Sequence, residues 1–309
     1  MNRIWRHKRI GILMGGVSHE REISLKTGKA ILKALQEGGY NAVGIVASFD
    51  IVQRLLEDRI DVAFIALHGR WGEDGTVQGL LELLRIPYTG SGVLASALAM
   101  NKIKAKEIFL YHGIPTPEFV IPQKEEPPDI PFPPPWMVKP ASEGSTIGVS
   151  AAKNTEELKD ALRHARRYDH QVFIERFIVG RELTVGILKD EPLPVVEIAP
   201  KGGVYDYHAK YTPGMTEYIV PASIGEQEME EVQRISLKAY HVLGCKGCAR
   251  VDLFFDQKGE IFVAEVNTLP GMTETSLVPK AAASKGISFP QLVQIILEDA
   301  SLKIEGGEG

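Results

Sequence analysis

The first third of the chain alternates apolar runs with amphipathic segments, and this alternation restricts the possible folds more than any other feature. Three apolar runs predict strands at residues 10–14, 42–46 and 62–67. The two amphipathic segments between them predict helices at residues 22–36 and 51–57. Such alternation is typical of βαβ crossovers and a parallel sheet. Active groups should then lie on the loops that follow the strands, here residues 15–20 and 68–79.

Beyond residue 91 the order of elements changes. A helical stretch to residue 111 precedes a proline-rich segment, 122–135, which we interpret as a rigid connection because it leads straight into an apolar strand. The remaining predicted strands are at 136–139, 147–151, 172–178, 183–188, 195–198, 217–220, 249–255 and 260–266, with helices after Asn154, at 226–243 and at 289–300. Segments in this order indicate α+β architecture.

We therefore expect three units. Residues 1–92 should form a Rossmann-like α/β unit with a parallel sheet, residues 93–179 a small central α+β unit, and residues 180–309 a C-terminal α+β unit. A chain of 309 residues is long for one compact core, which agrees with this division.

Composition and charge exclude several classes of protein. The chain is 44% hydrophobic and 24% charged with a formal net charge of -5, which fits a globular protein and disfavours nucleic acid as a partner. No apolar stretch approaches the ~18 residues needed to cross a bilayer, so we expect no membrane association.

Only two cysteines, Cys245 and Cys248, are present, which fits a reducing, cytoplasmic location. Their C-x-x-C spacing admits a zinc or redox site, but we favour two buried packing residues because no further ligands stand nearby.

Two small-residue stretches could contact phosphates. Residues 90–95 match the G-x-G-x-x-A dinucleotide fingerprint and precede a helix, but they come late in their βα unit, so a nicotinamide site is the weaker hypothesis. Residues 139–148 lie between two strands. Their glycines would allow backbone N–H groups to approach a phosphate, and Lys139 would supply charge, although an ordinary hairpin turn has the same appearance.

The strongest chemical signal lies on the last predicted hairpin. If residues 256–259 form its loop, residue 255 pairs with 260, 250 with 265 and 252 with 263. Arg250, Asp252, Glu265 and Asn267 then share one face, while Val251, Leu253, Phe262 and Ala264 fill the other. Carboxylate and amide oxygens are ligands that suit magnesium. A structural ion-pair cluster around Arg250 is the alternative interpretation.

At this point the chain resembles the D-alanine–D-alanine ligases, a family of the ATP-grasp superfamily, along nearly its whole length. The resemblance rests on eight separated stretches in the family's order: 15–22, 66–69, 72–75, 88–92, 139–148, 207–211, 250–252 and 265–273. It implies an ATP-grasp fold and the ATP-dependent joining of two D-alanines through an acyl phosphate, for bacterial peptidoglycan precursor synthesis.

The resemblance also implies where ATP binds. ATP would lie between the central and C-terminal units, with Lys102 and Lys139 on its phosphates and Lys210 on the γ-phosphate. The strand that carries Glu175, Phe177 and Ile178 would present backbone groups to adenine, and Glu182 would hold the ribose or tie the active-site loop. Asp252, Glu265 and Asn267 would hold two Mg²⁺ ions, for which Mn²⁺ is an expected substitute.

The same resemblance assigns the amino-acid sites. Glu20 would receive the ammonium of the first D-alanine, with His68 close by. Arg250 and the backbone N–H of Gly271 would stabilise the oxyanion. Ser276 and Leu277 would receive the carboxylate of the second D-alanine.

Tyr211 corresponds to a tyrosine of dipeptide-forming ligases that relatives accepting D-lactate lack. Its hydroxyl could bond Ser145, which in turn could reach Glu20. His19, His208 and residues 212–215 depart from the usual form of the family motifs.

Three alternatives remain beside the dipeptide ligase. They are a ligase for another amine or a hydroxy acid, an NAD-dependent oxidoreductase that uses residues 90–95, and a catalytically silent nucleotide-binding regulator. The intact set of Arg250, Asp252, Glu265 and Asn267 disfavours the silent protein. We expect a homodimer with ATP and D-alanine as its small-molecule substrates.

Overall fold

A parallel sheet begins the fold, as the alternating pattern predicts. The computed structural model describes residues 4–123, 127–200 and 215–304. The sheet has the order β2-β1-β3 and is built from β1 (Ile10–Gly15), β2 (Ala42–Ala47) and β3 (Val62–Ile65), with helices α1 (Arg21–Glu37) and α2 (Ile51–Glu57) between the strands. Its central strand, β1, is buried along its whole length, because helices cover both faces of such a sheet.

Helix α1 presents its apolar side to this sheet. Ile31, Ala34 and Leu35 are buried, and the hydroxyl of Ser24 donates to the carbonyl of Ala66 at 2.7 Å while accepting the N–H of Gly15 at 2.8 Å. These two bonds join the start of the helix to the loops that follow β1 and β3. The first loops of the site are thus fixed to the rigid part of the sheet.

The predicted helix over residues 91–111 is interrupted. Two helices occupy the stretch, α4 (Val93–Met100) and α5 (Lys102–Tyr111), and they follow α3 (Thr76–Leu83), which the sequence analysis did not predict. Asn101 stands between α4 and α5 in an extended conformation, and its side-chain oxygen accepts the N–H of Lys104 at 3.1 Å. An asparagine in this role starts a new helix. The break places Lys102 at the N-terminus of α5.

The central unit contains an antiparallel sheet with the order β4-β7-β5-β6. Its elements are β4 (Phe119–Val120), β5 (Trp136–Pro140), β6 (Ser150–Ala152), α6 (Thr155–Ala165) and β7 (Val172–Arg176). The predicted cap of α6 is confirmed, since the Asn154 side chain accepts N–H groups of Glu156 and Glu157 at 3.1 and 3.0 Å. Two predicted strands were too long, because β6 begins only at Ser150 and β7 ends at Arg176.

The C-terminal unit contains the largest sheet in the described part of the chain. Five strands follow the order β11-β10-β8-β12-β13, and β9 pairs with β8. The strands are β8 (Gly180–Leu188), β9 (Glu191–Pro192), β10 (Val196–Pro200), β11 (Thr216–Ile219), β12 (Cys248–Asp256) and β13 (Ile261–Asn267). Three helices accompany them, α7 (Glu226–Val242), α8 (Leu277–Ser284) and α9 (Phe289–Glu298). Helix α8 was not predicted. Helix α9 packs on α1, which joins the last unit to the first.

The predicted register of the last hairpin was wrong, although its polar face was right. Phe255 pairs with Ile261, and a bulge between Asp252 and Leu253 shifts the ladder so that Asp252 pairs with Glu265 and Arg250 with Asn267. The bulge restores the shared face of these four polar residues. Phe262, in contrast, pairs with Phe254 and therefore lies on the polar face, not on the buried face predicted for it.

The two cysteines are free and buried, and burial raises the pKa of each thiol to about 12. Among the described residues, no group of three His, Cys, Asp or Glu side chains is arranged to hold a metal ion. The burial of both thiols agrees with the packing interpretation. No helix in the described ranges has the length and apolar character needed to span a bilayer.

Candidate functional site

The candidate site is a cleft where loops from all three units meet. The loops after β1 and β3 contribute Glu20, His68 and Glu73, which with Ser145 we call the acidic pocket. Three lysines and a glutamate form a second group, Lys102, Lys106, Lys139 and Glu175, which we call the basic pocket.

The loop between β5 and β6 closes directly on Glu20. Ser145 Oγ donates a hydrogen bond to Glu20 Oε1, as the sequence analysis predicted. A Cβ atom at Gly144 would lie 2.6 Å from Glu20 Oε2, so a larger residue there would displace the Glu20 carboxylate from its present position. Ser145 and Thr146 have φ angles of 52° and 64°, a conformation that costs free energy in residues with side chains. Some backbone strain therefore lies at this contact between the central and N-terminal units.

His68 is buried beside Glu20 and is held on several sides. Its Nε2 lies 3.2 Å from Thr27 Oγ1, its carbonyl accepts from Ser18 Oγ at 2.6 Å, and it is hydrogen-bonded to the backbone of Leu269. Burial lowers the pKa of His68, Arg250 lowers it further, and Glu20 opposes both. The imidazole is therefore neutral around pH 7.

Glu73 is a member of the pocket that sequence reasoning missed. Only 8% of the residue is exposed, and its Oε2 accepts the N–H of Gly69 at 2.6 Å. Burial and then the charge of Glu20 raise the pKa of Glu73 to about 8. The signal was present, because Glu73 belongs to the matching stretch 72–75. Glu73 therefore keeps its proton near neutrality.

The polar face of the last hairpin brings Arg250, Asp252, Glu265 and Asn267 together. Arg250 binds Asp252 through two bonds, Nε to Oδ1 at 2.8 Å and Nη2 to Oδ2 at 2.7 Å. Thr184 Oγ1 donates to the same carboxylate at 2.6 Å. Glu265 Oε2 lies 3.2 Å from Lys102 Nζ, and Asn267 Oδ1 accepts the N–H of Leu269 at 3.1 Å.

Three of these residues, Asp252, Glu265 and Asn267, suit magnesium. The two carboxylates and one amide oxygen are hard donors on one face of two paired strands, next to phosphate-binding candidates. Their negative charge is balanced by Arg250 and Lys102, so the cluster also satisfies the ion-pair interpretation in this state.

The basic pocket contains two lysines expected from sequence and one that was not. Lys102 Nζ also donates to the carbonyl of Glu143 at 2.7 Å. Lys139 Nζ pairs with Glu175, and Lys106 Nζ lies 2.6 Å from the other oxygen of that carboxylate. Glu175 was expected to present backbone groups to adenine. Its side chain is buried between two lysines, a contact that the sequence did not indicate.

The remaining residues predicted for ATP lie around this pocket. Phe177 and Ile178 follow the end of β7, so their backbone groups stand outside the β-ladder rather than within the predicted strand. Glu182 lies on β8, opposite Phe254 of β12, and it is one of the carboxylates that raise the pKa of Lys139. Lys210 and Tyr211 lie outside the described residues.

The predicted second-substrate residues lie at the start of α8. Ser276 is the N-cap of this helix and Leu277 its first residue, while a Cβ at Gly271 would lie 3.3 Å from Ser276 Oγ. Backbone N–H groups at a helix N-terminus attract carboxylates. The structure thus brings Gly271, Ser276 and Leu277 together.

A further contact joins the units at the edge of the cleft. Glu143, in the loop after β5, lies 3.5 Å from both Arg70 and His19, which belong to the first unit. The hydrogen bond from Lys102 Nζ to the carbonyl of Glu143 also holds this residue in place. Sequence reasoning missed this contact, because its members are far apart in the chain and their charges resemble those of a solvated surface.

Comparisons with known proteins point to one family. Residues 46–91 match a family model described as D-ala D-ala ligase N-terminus, and residues 112–298 match D-ala D-ala ligase C-terminus. The chain is 52% identical over 301 residues to a D-alanine–D-alanine ligase of Syntrophotalea carbinolica, covering 96% of this chain and 97% of that protein. It is 51% identical over 302 residues to one of Geobacter sulfurreducens, covering 96% of each.

A solved structure is also similar throughout. The crystal structure of D-alanine–D-alanine ligase from Bacillus anthracis complexed with ATP superposes with a TM-score of 0.82. The two chains are 39% identical, and the match covers 95% of this chain and 96% of the other.

Proposed function

The chain belongs to the D-alanine–D-alanine ligase family, and on this premise we propose that it joins two D-alanines with ATP to give D-alanyl-D-alanine for peptidoglycan precursors. The observation that carries the proposal is the pairing of opposite charges in one cleft. Glu20 offers an anion to a substrate ammonium, while Lys102 and Lys139 offer cations to phosphates, and the charge of Arg250 acts on His68 beside Glu20.

The first step activates a carboxylate. The first D-alanine binds through its ammonium at Glu20, near the neutral His68, and its carboxylate oxygen attacks the γ-phosphorus of ATP. The bond to the β-phosphate oxygen breaks, which gives ADP and an acyl phosphate. Lys102, Lys139 and Lys210 hold the phosphates, backbone groups of Phe177 and Ile178 hold adenine, and Glu182 holds the ribose.

The second step forms the peptide bond. The carboxylate of the second D-alanine binds at Ser276 and Leu277, so that its amine faces the acyl carbon. Attack by the amine gives a tetrahedral oxyanion, which Arg250 and the N–H of Gly271 stabilise. The former carboxylate oxygen leaves with the phosphate. Tyr211 and Ser145 order the loop above Glu20.

Asp252, Glu265 and Asn267 are the residues that would hold two Mg²⁺ ions, or Mn²⁺ in their place. When bound, the ions neutralise charge on the transferring phosphoryl group. The hard oxygens on one strand face support this assignment, as does the pairing of both carboxylates with the cationic side chains of Arg250 and Lys102.

We further propose a cytoplasmic homodimer with units at residues 1–92, 93–179 and 180–309. Free, buried thiols and the need for ATP support the location. Phe49, Val52 and Leu56 place exposed apolar groups on and beside α2, and a second copy would cover them.

The test is phosphate release from ATP with D- and L-amino acids, together with the product's mass. Release should require ATP, magnesium and D-alanine together and should yield a dipeptide. Equal turnover with L-alanine contradicts the assignment, and D-alanine-independent phosphate release would indicate a different ATP-dependent activity.

A further inference from the structure

Lys106 is a buried lysine next to the nucleotide site that the reaction scheme leaves without a role. It lies on α5 between Ile103 and Phe109, with 1% of its surface exposed. Its Nζ lies 2.6 Å from Glu175 Oε1, and it donates to Thr116 Oγ1 at 2.6 Å and to the carbonyl of Pro117 at 3.1 Å.

The contacts of Lys106 favour its charged form. The hydroxyl of Thr116 has one proton and donates it to the carbonyl of Val263 at 2.8 Å, so Thr116 accepts from Lys106. Lys106 also donates to the carbonyl of Pro117, and its Nζ forms an ion pair with Glu175 Oε1. Burial lowers the pKa of Lys106, and the charge of Glu175 opposes the shift.

Glu175 divides its charge between two lysines. One oxygen faces Lys106 and the other faces Lys139, so the ion triad of Lys106, Glu175 and Lys139 carries a net charge of about +1. The Lys139 side chain is 16% exposed, while those of Lys106 and Glu175 are 1% and 2% exposed. Lys139 is therefore the member of the triad that reaches the cleft.

We propose that Lys106 is a positioning residue for nucleotide binding. It neutralises the charge of Glu175, so that the positive charge of Lys139 is not cancelled by Glu175 and stays available for the phosphates. This inference rests on the proposed function, in which Lys139 contacts ATP. Without Lys106, Glu175 would be paired with Lys139 alone, and the triad would lose its net charge. Glu182 and Glu265 also lie within electrostatic reach of Lys139, which makes its charge balance more dependent on Lys106.

The same ammonium connects the triad to the candidate metal-binding strand. Through Thr116 it is linked to Val263 on β13, two residues from Glu265. Lys106 thus holds β7, α5 and β13 together behind the nucleotide site.

The experiment measures binding of a non-hydrolysable ATP analogue with Mg²⁺ by calorimetry, in the absence of amino acids. Lys106→Met should weaken binding about tenfold, the effect of one charge at ~10 Å with an effective dielectric constant of about 20. The double variant Lys106→Met with Glu175→Gln restores the net charge and should return binding to within about threefold of wild type. Lys104→Met, on the exposed side of the same helix, is the matched control and should bind normally.

The outcomes separate this inference from the proposed function. If the wild type binds no nucleotide, the proposed ligase activity is wrong. If the wild type binds but Lys106→Met binds equally well, the role of Lys106 is contradicted. Equal weakening in the single and double variants would also contradict it, since packing rather than charge would then be the cause. If Lys106→Met fails to fold, binding by the double variant is the deciding measurement. The double variant should fold, because it leaves no unpaired anion in the buried site.

Discussion

The acidic and basic pockets differ in how each holds its excess charge. In the acidic pocket, Glu20 and Glu73 lie close together, and burial with mutual repulsion keeps Glu73 protonated up to about pH 8. In the basic pocket, burial also disfavours charge, yet Glu175 is ionised and its pKa is lowered because Lys106 and Lys139 outweigh the burial. One pocket limits its charge by protonation and the other by pairing.

The difference corresponds to what each pocket must bind. A substrate ammonium carries one positive charge, and a single ionised carboxylate is enough to receive it. ATP brings several negative charges, and a site with a net cation surplus is needed. Arg250 lowers the pKa values of His68 and Glu73 and binds Asp252 on the hairpin face. Because each pocket limits its charge in a different way, changes to Glu20 and to Lys106 should act mainly on the pocket to which each residue belongs.

The largest effect is expected at Arg250, which binds Asp252 on the hairpin face and whose charge acts on the acidic pocket. Arg250→Ala should lower kcat by about 10²- to 10³-fold, because one oxyanion donor is lost. It also leaves Asp252 without its bidentate partner. Steady-state kinetics with saturating ATP and D-alanine measures the change. Arg234→Ala, which removes an exposed arginine on α7, is the control, and a loss of less than threefold in Arg250→Ala would make Arg250 a structural residue only.

A smaller effect, confined to the acidic pocket, is expected for Glu20→Gln. Removing the anion should raise the KM for the first D-alanine by about 10- to 100-fold, because a charged hydrogen-bonded pair is lost. Binding of the ATP analogue should stay within about threefold of wild type. Calorimetry with D-alanine and with the ATP analogue, each alone, tests whether the two pockets act independently. If the variant loses affinity equally for both ligands, the pockets are not independent.

The smallest effect concerns Glu73 and appears in the pH dependence of stability. The folded carboxyl keeps its proton up to about pH 8, whereas an unfolded glutamate loses it near 4.5. Folding therefore takes up a proton between these values, and the stability of the wild type falls as pH rises through this window. Glu73→Gln cannot titrate, and its side-chain oxygen still accepts the N–H of Gly69. The Tm of the variant minus the Tm of the wild type should therefore be a few degrees larger at about pH 8.5 than at about pH 5. A constant difference across pH would contradict the raised pKa.

Sequence patterns predicted the parallel sheet and most strands because burial follows the period of each element. The break at Asn101 was missed, since α4 and α5 together give one continuous helical pattern and the capping bond is visible only in three dimensions. The register of the last hairpin failed for a related reason. A bulge between Asp252 and Leu253 leaves the hydrophobic alternation nearly unchanged but moves Phe262 to the polar face.

The site was predicted as a set of residues rather than as a charge arrangement. The family motifs identified Glu20, Ser145 and the polar face of the hairpin. They did not indicate Lys106, which sequence places in a lysine-rich helix with exposed neighbours such as Lys104. Its spacing from Ile103 and Phe109 on the buried side of α5 was the available signal. A buried lysine needs partners, and those partners come from segments distant in sequence.

The proposed chemistry requires the carboxylate of the first D-alanine to attack ATP. D-Alanine labelled with ¹⁸O in its carboxylate should therefore transfer one labelled oxygen to each phosphate released, as measured by mass spectrometry of the phosphate. The dipeptide should retain one labelled oxygen in its peptide carbonyl and two in its carboxylate. Unlabelled phosphate accompanying dipeptide formation would mean that water, not the substrate, attacks ATP, and it would contradict the acyl-phosphate route.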